Sequence, residues 1–496
     1  MAILPMTYRL SSFHAPADSR LNAIVPQDGQ PVARRQRRYR WVLTCAVAFA
    51  LTGCATTIDH TRPQVAIPQS WAEPAPSDKQ MDAQWWRSFQ SAELVGLIDN
   101  ALAGSPTLAV AAERVVQAEI AVRSAGASLY PSLNISGTTS ERRNNPNMGS
   151  TWTTTQASGI SLGASYEVDL WGRIAATVQG SRSSLNANRY DYETARLALT
   201  TGVANAYFQV IAARVRLAIA RENLAIAERV FNIVEIRNRN GAVSDLDLSR
   251  QRTTVLSQRA AIQPLEVQGR QAASALAILL GLAPQGFTVS TSSFSNIAIP
   301  EVSAGLPSDL LVRRPDLASS EAQLAAGDAN VAVARASLLP SISLSGSTGL
   351  ASTALVSLAN PGLSLGLSGT LIQTLFDGGR LRNQVSLSES QRRQLVENYR
   401  GAVLTSLKEV EDALSNIDRN RNSEAAQLSI RDEAQRTLRL SELRYRQGAD
   451  DITTVLDAQR ILFAAQDALA QLRLARLTSS LDLFKALGGG WRSAAL

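Results

Sequence analysis

The sequence contains two copies of one unit, and this duplication limits the possible folds more than any other feature. Ala125–Gly137 has the sequence AGASLYPSLNISG and Ala334–Gly346 has ARASLLPSISLSG, with eight of 13 positions matching at an offset of 209. Farther along, Arg237–Gly241 corresponds to Arg444–Gly448 at an offset of 207. The two units therefore share one order of elements, predicted as helix, strand, strand, very long helix, tight break and helix.

Each unit contains one pair of segments in which apolar residues alternate with small or polar ones. The apolar positions in the second strand of each unit are Ile160, Leu162, Ala164, Tyr166, Val168 and Leu170, and Leu363, Leu365, Leu367 and Leu371. Alternation over about ten residues is what a transmembrane barrel strand needs, with one face toward lipid and one toward water. A soluble sheet packed on one face has the same pattern, so the pattern alone leaves both interpretations open.

The long helices give a clearer signal than the strands. Arg173–Asn240 contains no proline, and Arg380–Gln447 is equally long. In Arg173–Asn240, apolar residues are spaced alternately three and four apart, as in a coiled-coil seam. These residues are Val210, Ala213, Leu217, Ala220, Leu224, Ala227, Phe231 and Val234. Each helix would form a rod of about 100 Å at 1.5 Å per residue. Gly241 and Gly448 then permit sharp reversals into shorter antiparallel helices.

The number of predicted strands requires several chains. Two units supply four strands, which cannot close a barrel, and open strand edges are not tolerated in lipid. The smallest common barrel has about eight strands. Two chains in cyclic symmetry would supply eight strands and three would supply 12. The residue pattern does not choose between them, but about 12 strands would leave a water-filled bore.

The N-terminal residues have the pattern of an export signal. A basic block, Arg34–Arg40, precedes Trp41–Leu51, an apolar run of 11 residues that is too short to span a bilayer. The run ends in Leu51–Cys54, with the sequence LTGC, which resembles the signal of lipoproteins, whose cysteine carries a diacylglycerol. We therefore predict that residues 1–53 are a signal peptide with an N-terminal extension. Acylation would also explain an unpaired cysteine, Cys54, in an exported protein.

Charge and motifs argue against several classes of protein. The net charge is +7, but residues 1–53 carry +5 of it, so nucleic-acid binding by the remainder has little support. Gly-x-Ser-x-Gly occurs at Gly159–Gly163 and at Gly362–Gly366, inside the alternating strands, and the last histidine in the chain is His60. A nucleophile elbow needs a strand-to-helix turn and a histidine partner. We therefore predict no enzyme activity, no metal and no cofactor except the covalent lipid on Cys54.

Three further segments carry a family resemblance. Gly305–Asp316 has the sequence GLPSDLLVRRPD, Glu321–Leu324 has EAQL, and Tyr166–Arg173 has YEVDLWGR. With the duplicated strand pairs, they resemble the outer membrane factor family, the exit ducts of drug-efflux and type I secretion systems. The lipoprotein signal resembles the NodT-type lipoprotein branch that serves RND pumps. The resemblance implies a membrane α+β fold: a homotrimer with a 12-stranded outer-membrane β-barrel, four strands per chain, continued by a long periplasmic α-helical barrel.

The resemblance also implies partners and a location. The partners are outer-membrane lipid, a periplasmic adaptor (membrane fusion protein) and an inner-membrane RND-type pump that supplies the energy. The chain would be lipid-anchored in the cell outer membrane and extend into the periplasm. Beyond the signal peptide, the predicted division is a lipidated extended N-terminal segment (54–100), repeat 1 (101–282), a linker (283–307), repeat 2 (308–487) and a C-terminal tail (488–496).

A constriction at the periplasmic end is implied by the same resemblance. Acidic residues just past the helical tips form it in the family, and here the matching positions are Asp247 and Asp457. Their equivalents in the other unit are Thr454 and Arg250. Pairing of Asp247 with Arg250, or of either with Asp457 across the axis, would hold the duct shut. An ordinary solvated helix pair is the alternative.

The helical tips complete the predicted site. The segments that contain Arg237, Gly241, Arg444 and Gly448 are expected to dock the adaptor, and the glycines also turn the chain. The predicted function is passive export of drugs or other toxic small molecules from the pump and adaptor to the exterior. Two alternatives are a type I protein-secretion duct, which has the same fold, and a periplasmic coiled-coil adaptor or structural lipoprotein, which would lack duplicated strand pairs.

Overall fold

The computed structural model describes residues 62–73, 81–145, 151–301 and 303–492. The predicted signal peptide, Cys54 and His60 lie outside these residues. The longer helices are α1 (Ala92–Gly104), α2 (Pro106–Ala127), α3 (Arg173–Arg239), α4 (Asp245–Leu279), α5 (Pro315–Ala336), α6 (Arg380–Arg446) and α7 (Ile452–Ala486). The strands are β1 (Ser132–Asn144), β2 (Thr153–Val168), β3 (Ser341–Ser352) and β4 (Gly362–Ile372). Shorter helical turns are Trp85–Phe89, Pro307–Asp309 and Leu310–Arg313.

The duplication in the sequence is a duplication in the structure. The order α2, β1, β2, α3, α4 repeats as α5, β3, β4, α6, α7. The first helices have 22 residues each, the long helices 67 and the return helices 35. The predicted long helices are therefore confirmed, and their bounds differ from the expected ones by a single residue at the C-terminal end.

The four strands form one antiparallel sheet in the order β1-β2-β3-β4. Its register places Ser132 opposite Ser165, Ser158 opposite Ser352 and Ser341 opposite Ile372. Within the described part of the chain, β1 and β4 each pair along one edge only. The sheet therefore has two edges whose backbone groups need other partners.

Local capping explains where the long helices begin. Gly172 has a φ of 74°, a left-handed conformation that favours glycine, and α3 follows it. The Asp169 carboxylate accepts hydrogen bonds from the N–H groups of Ile174 and Ala175 at 3.0 and 2.7 Å. Asp377 does the same for Gly379 and Leu381 before α6, at 2.9 Å each. These carboxylates satisfy free N–H groups and complement the helix dipole.

The predicted seam of α3 is confirmed. Five of the eight seam residues are buried, and the other three, Leu217, Leu224 and Phe231, are half-buried. The buried members are Val210, Ala213, Ala220, Ala227 and Val234. By length and composition α3 also qualifies as a membrane-crossing helix, but 56% of its apolar window is buried inside the protein, as in the core helix of a soluble domain.

The main hydrophobic core lies where the helices of both repeats meet. Trp85 stacks on Phe484 with ring centroids 5.1 Å apart, and Phe89 contacts Phe208 at 5.2 Å. A second core near the helical tips joins α3, α6 and α7 through Val234, Leu438, Tyr445, Val455 and Leu462. In the main core, Trp85 and Phe89 of the short turn pack the segment before α1 against α7 and α3.

The N-terminal segment 54–100 is not extended throughout, which corrects the expectation. Helix α1 begins at Ala92, and the Ser91 hydroxyl caps it by accepting the Leu94 N–H at 3.2 Å. Leu94, Ile98 and Ala101 form its buried face. Apolar residues spaced by four and three after a serine cap are typical of a helix. The prolines that indicated an extended chain lie upstream of α1, so the extended pattern does not apply to this part of the segment.

Candidate functional site

One face of the sheet is apolar and exposed. The register places Ile135 opposite Leu162, Ile160 opposite Leu350, and Leu350 opposite Leu363, so the apolar rows of all four strands share this face. Side chains here are strongly exposed, with Leu133 at 70% and Leu367 at 88% of full exposure. A continuous exposed apolar surface of this kind indicates contact with lipid or with another protein.

The opposite face is lined by hydroxyl groups. Ser132 and Ser165 are hydrogen-bonded through their Oγ atoms at 2.8 Å, and Ser345 and Ser368 at the same distance. Ser161, at the centre of one Gly-x-Ser-x-Gly segment, bonds Ser136 at 2.8 Å. Both such serines are therefore strand residues on a polar face, as the sequence predicted.

Charged residues on this hydroxyl face are confined to its ends. Within the four described strands they are Arg142 near the end of β1 and Glu167 near the end of β2. Arg173 binds both carboxylate oxygens of Glu167 at 2.7 Å. The central part of the face is thus neutral and wettable.

Aromatic side chains lie at both ends of the sheet. Trp152 precedes β2 at one end, and Phe376 follows β4 at the other; both are exposed. The Trp171 indole N–H donates to the Pro340 carbonyl at 2.7 Å. Sequence reasoning missed Leu129 and Tyr130, which are also exposed, at the junction of α2 and β1. Both residues lie outside any periodic segment. The only sequence signal for this exposed junction is the aromatic side chain of Tyr130 beside Pro131.

The two helical tips are built alike. Gly241 and Gly448 have φ values of 71° and 72°. The N–H of Ala242 donates to the Arg237 carbonyl at 2.8 Å, and that of Ala449 to the Arg444 carbonyl at 2.9 Å. A left-handed glycine with such a bond ends a helix and reverses the chain.

The structure brings the two tips together. The Arg237 guanidinium lies over the Tyr445 ring at 4.6 Å from its centroid and donates to the Tyr445 carbonyl. Arg444 instead binds both oxygens of Asp450, at 2.7 and 3.0 Å. Arg237 therefore joins the two hairpins, whereas Arg444 stabilises its own turn.

The predicted constriction residues form local pairs within the chain. The Ser244 hydroxyl donates to the Asp247 carboxylate at 2.7 Å and accepts the Asp247 N–H at 3.2 Å. Arg250 approaches Asp247 to 3.5 Å. Asp457 pairs with Arg460 on its own helix at 3.4 Å, and both side chains are exposed, as is Thr454. Within one chain, Asp247 therefore pairs with Arg250.

A buried arginine, Arg314, organises Gly305–Asp316, one of the segments that carry the family resemblance. Arg314 binds Asp316 and Glu409 at 2.6 Å each and donates to the Ala486 carbonyl at 3.2 Å. Pro315 is the first residue of α5. The motif thus joins the start of repeat 2 to both α6 and the end of α7, close to the main core.

The linker is held by Glu93 of α1. Its carboxylate accepts the backbone N–H groups of Ser290 and Thr291, the latter at 3.0 Å, and the Ser290 hydroxyl at 2.8 Å. Partial burial opposes ionisation, but the hydrogen bonds from Thr291 and Ser290 outweigh it and lower the pKa of Glu93 to about 2. Glu93 therefore stays ionised and clamps the linker to α1 at ordinary pH.

Comparison with known proteins identifies the family. A profile described as outer membrane efflux protein matches residues 97–282 and 306–489. The pyoverdine export outer membrane protein OpmQ of Pseudomonas aeruginosa is 41% identical over 458 residues, which cover 90% of this chain and 96% of OpmQ. The cation efflux system protein CusC of Escherichia coli is 32% identical over 460 residues, covering 91% and 99%.

Solved structures agree with this assignment. A crystal structure of CusC has a TM-score of 0.78 at 30% identity and covers 88% of this chain and 100% of its own. The open state of the MtrE outer membrane channel of Neisseria gonorrhoeae has a TM-score of 0.79 at 26% identity and covers 88% and 98%. The predicted family, outer-membrane location and channel function are thereby confirmed. The chain belongs to the outer membrane efflux protein family, a family of transport channels of the outer membrane.

Proposed function

We propose that three copies of the chain form the exit duct of a tripartite efflux system. The open sheet carries this proposal, because it has an exposed apolar face and two edges without partners among the described residues. In the outer membrane such edges must be paired. Three copies supply 12 strands, with the apolar face toward lipid and the hydroxyl face around a water-filled bore.

The helices continue the duct into the periplasm. Each long helix has 67 residues, which corresponds to about 100 Å at 1.5 Å per residue. The tips would dock a periplasmic adaptor, which links the duct to an inner-membrane RND-type pump. Ile236 and Leu443, equivalent exposed residues beside Arg237 and Arg444, offer apolar contacts there. Transport through the duct is passive.

The constriction belongs to the same proposal. Asp247, Arg250, Thr454 and Asp457 lie on the helices that follow the tips, and three copies would bring them around one axis. The exposure of Asp457 supports this, because its carboxylate is available to a neighbouring copy. Carboxylates that converge repel each other unless they are paired, so Arg250 is the counter-charge that closes the ring.

The lipid anchor on Cys54 would hold the N-terminal arm at the membrane. Residues 62–73 contact repeat 2 and the end of the linker. Arg62 binds Glu321 at 2.8 Å and the Ala72 N–H binds Glu411 at 2.8 Å, both in repeat 2, and Trp71 donates to the Gly305 carbonyl of the linker at 2.9 Å. An arm fastened in this way supports a tether between the anchor and the body of the protein. The division into repeats 101–282 and 308–487 is part of the same proposal.

The cargo is proposed from the relatives. OpmQ is a pyoverdine exporter and CusC a cation efflux protein, and identity to OpmQ is higher, at 41% against 32%. We therefore expect the chain to restore pyoverdine export in a P. aeruginosa strain that lacks OpmQ. Restored cation efflux in an E. coli strain that lacks CusC, without pyoverdine export, would contradict this cargo.

Two measurements test the duct itself. Protein extracted from outer membranes should run as a heat-resistant trimer in detergent gels and should form ion-conducting channels in planar bilayers. A monomer that is stable in water without detergent and that conducts no current would overturn the proposal.

A further inference from the structure

The β3–β4 loop (residues 353–361) folds back over the apolar face of the sheet. The Val356 N–H donates to the Thr139 hydroxyl at 3.3 Å, although Thr139 belongs to β1, two strands away from β3. Thr139 lies on the apolar face, because it is opposite Ser158, which is two residues from Ile160 of the apolar row. The loop therefore crosses the outer end of this face instead of projecting away from the sheet.

The loop covers a row of hydroxyl groups on that face. Thr139, Ser158 and Ser352 form the row, which follows directly after the apolar residues. The hydroxyl oxygens of Thr139 and Ser158 are 3.0 Å apart, and the Ser352 hydroxyl donates to the Ala359 carbonyl of the loop at 2.8 Å. Within the four described strands, Ser158 and Ser352 are the only buried residues. The polar atoms of the row are thus hydrogen-bonded and shielded, as contact with lipid requires.

In place of the hydroxyls, the loop presents apolar side chains. Leu355, Val356 and Leu358 are 40%, 80% and 38% exposed. Val356 also has a φ of 52°, a left-handed conformation that is strained for a β-branched residue. Glycine or asparagine would suit this conformation better in a loop surrounded by water. A strained backbone that holds a valine outward therefore indicates an apolar environment around the loop.

The apolar face of the sheet is about one row short of the expected height. On β2 it runs from Ile160 to Val168, a length of about 27 Å along the strand at about 3.4 Å per residue. A strand tilt of about 40° reduces this to about 21 Å, whereas the apolar band of outer-membrane barrels is about 25 Å tall. One further row of apolar side chains would supply the difference, and the β3–β4 loop provides such a row.

We propose that the β3–β4 loop contacts the hydrocarbon of the outer leaflet through Leu355, Val356 and Leu358. Because β3 follows α5 and β4 precedes α6, the loop lies at the end of the sheet away from the helices. Its backbone stays at the membrane boundary, where water and headgroups bind the N–H and C=O groups that an irregular segment leaves free. The lipid contact rests on the proposed duct and adds an element that sets the depth of the duct in the membrane.

The reactivity of a cysteine at Val356 tests the contact. Intact cells that express full-length chain with Val356→Cys are treated with a membrane-impermeant maleimide. Ser140→Cys is the water control, since Ser140 is exposed near the same end of the sheet on the hydroxyl face. Leu367→Cys is the lipid control on the apolar face. The unmodified chain, with its native Cys45 and Cys54, gives the background.

A lipid contact slows the reaction at Val356→Cys. We expect a rate at least about tenfold below that of Ser140→Cys, because the thiolate is the reactive form and apolar surroundings disfavour it. Equal rates at these two positions, with a slow reaction at Leu367→Cys, overturn the lipid contact of the loop and leave the duct in place. A fast reaction at Leu367→Cys overturns the lipid-facing sheet as well, and with it the proposed duct.

Quenching by lipid distinguishes contact with the membrane from burial against protein. Purified trimers with bimane attached at Val356→Cys are reconstituted in phosphatidylcholine vesicles that carry a nitroxide near the headgroup or near the end of the acyl chain. The shallow nitroxide should quench this label more strongly, whereas the deep one should quench a label at Leu367→Cys more strongly. Slow maleimide reaction without quenching overturns the lipid contact. Leu358→Cys gives both readouts if Val356→Cys forms no heat-resistant trimer.

Discussion

At the scale of single residues, the attachment of the linker depends on one carboxylate. Glu93→Gln keeps the shape of the side chain but removes the charge that accepts hydrogen bonds from Ser290 and Thr291. Such bonds contribute roughly 1.5–3 kcal/mol in general, and partial exposure reduces this, so we expect a loss of about 1–2 kcal/mol at pH 7. Chemical unfolding of the purified protein measures the difference.

The pH dependence of this effect has a definite sign. The pKa of Glu93 is lowered in the folded state from 4.5 to about 2, so ionisation favours the fold. The contribution is complete above the unfolded pKa and is lost as the pH falls from about 4.5 toward 2. The stabilities of the wild type and Glu93→Gln should therefore converge at low pH, and a constant gap would refute the role of the charge.

The constriction gives a second prediction at this scale. Asp457→Ala or Arg250→Ala should raise the single-channel conductance, because each removes one side of the ionic links proposed to close the duct. Planar-bilayer recordings measure it. Asp412→Ala is the control, since Asp412 pairs with Lys408 on α6, well before the tip. Unchanged conductance in both test variants would place the gate elsewhere.

At the scale of elements, periodicity was sufficient to predict the strands and long helices. Alternation over Ile160–Leu170 lies mostly within β2, and steps of three and four along Val210–Val234 mark the buried seam of α3. The hydrogen bonds between Glu93 and Ser290 could not be predicted from the local sequence, because they join residues far apart in the chain. The pair of Arg237 with Tyr445 was missed for the same reason.

The tip of the second hairpin gives a prediction for an element. Gly448 has a φ of 72°, so Gly448→Ala should cost about 1 kcal/mol and open the tip about fivefold more often. Trypsin cleavage near Arg446 measures the opening. Gly401→Ala is the matched control: Gly401 lies inside α6 with open space around it, and alanine should stabilise the helix there by about 1 kcal/mol. Equal cleavage in the two variants would contradict a strained turn.

At the scale of the whole molecule, the two faces of β4 should respond oppositely to charge. Leu367→Arg places a cation on the apolar face, which costs about 2–4 kcal/mol near the middle of a bilayer. Ser368→Arg, the next residue, lies on the hydroxyl face and should be tolerated. The amount of heat-resistant trimer in outer membranes measures both. Equal assembly of the two variants would mean that the apolar face does not contact lipid.

The serine-lined face also affects how molecules are sorted. A wall of hydroxyls with fixed charges confined to its two ends neither attracts nor repels a passing anion or cation along its central stretch. A siderophore, a metal ion and a neutral drug would therefore cross this part with little discrimination. In the proposed duct, the choice among substrates would therefore fall to the proteins upstream.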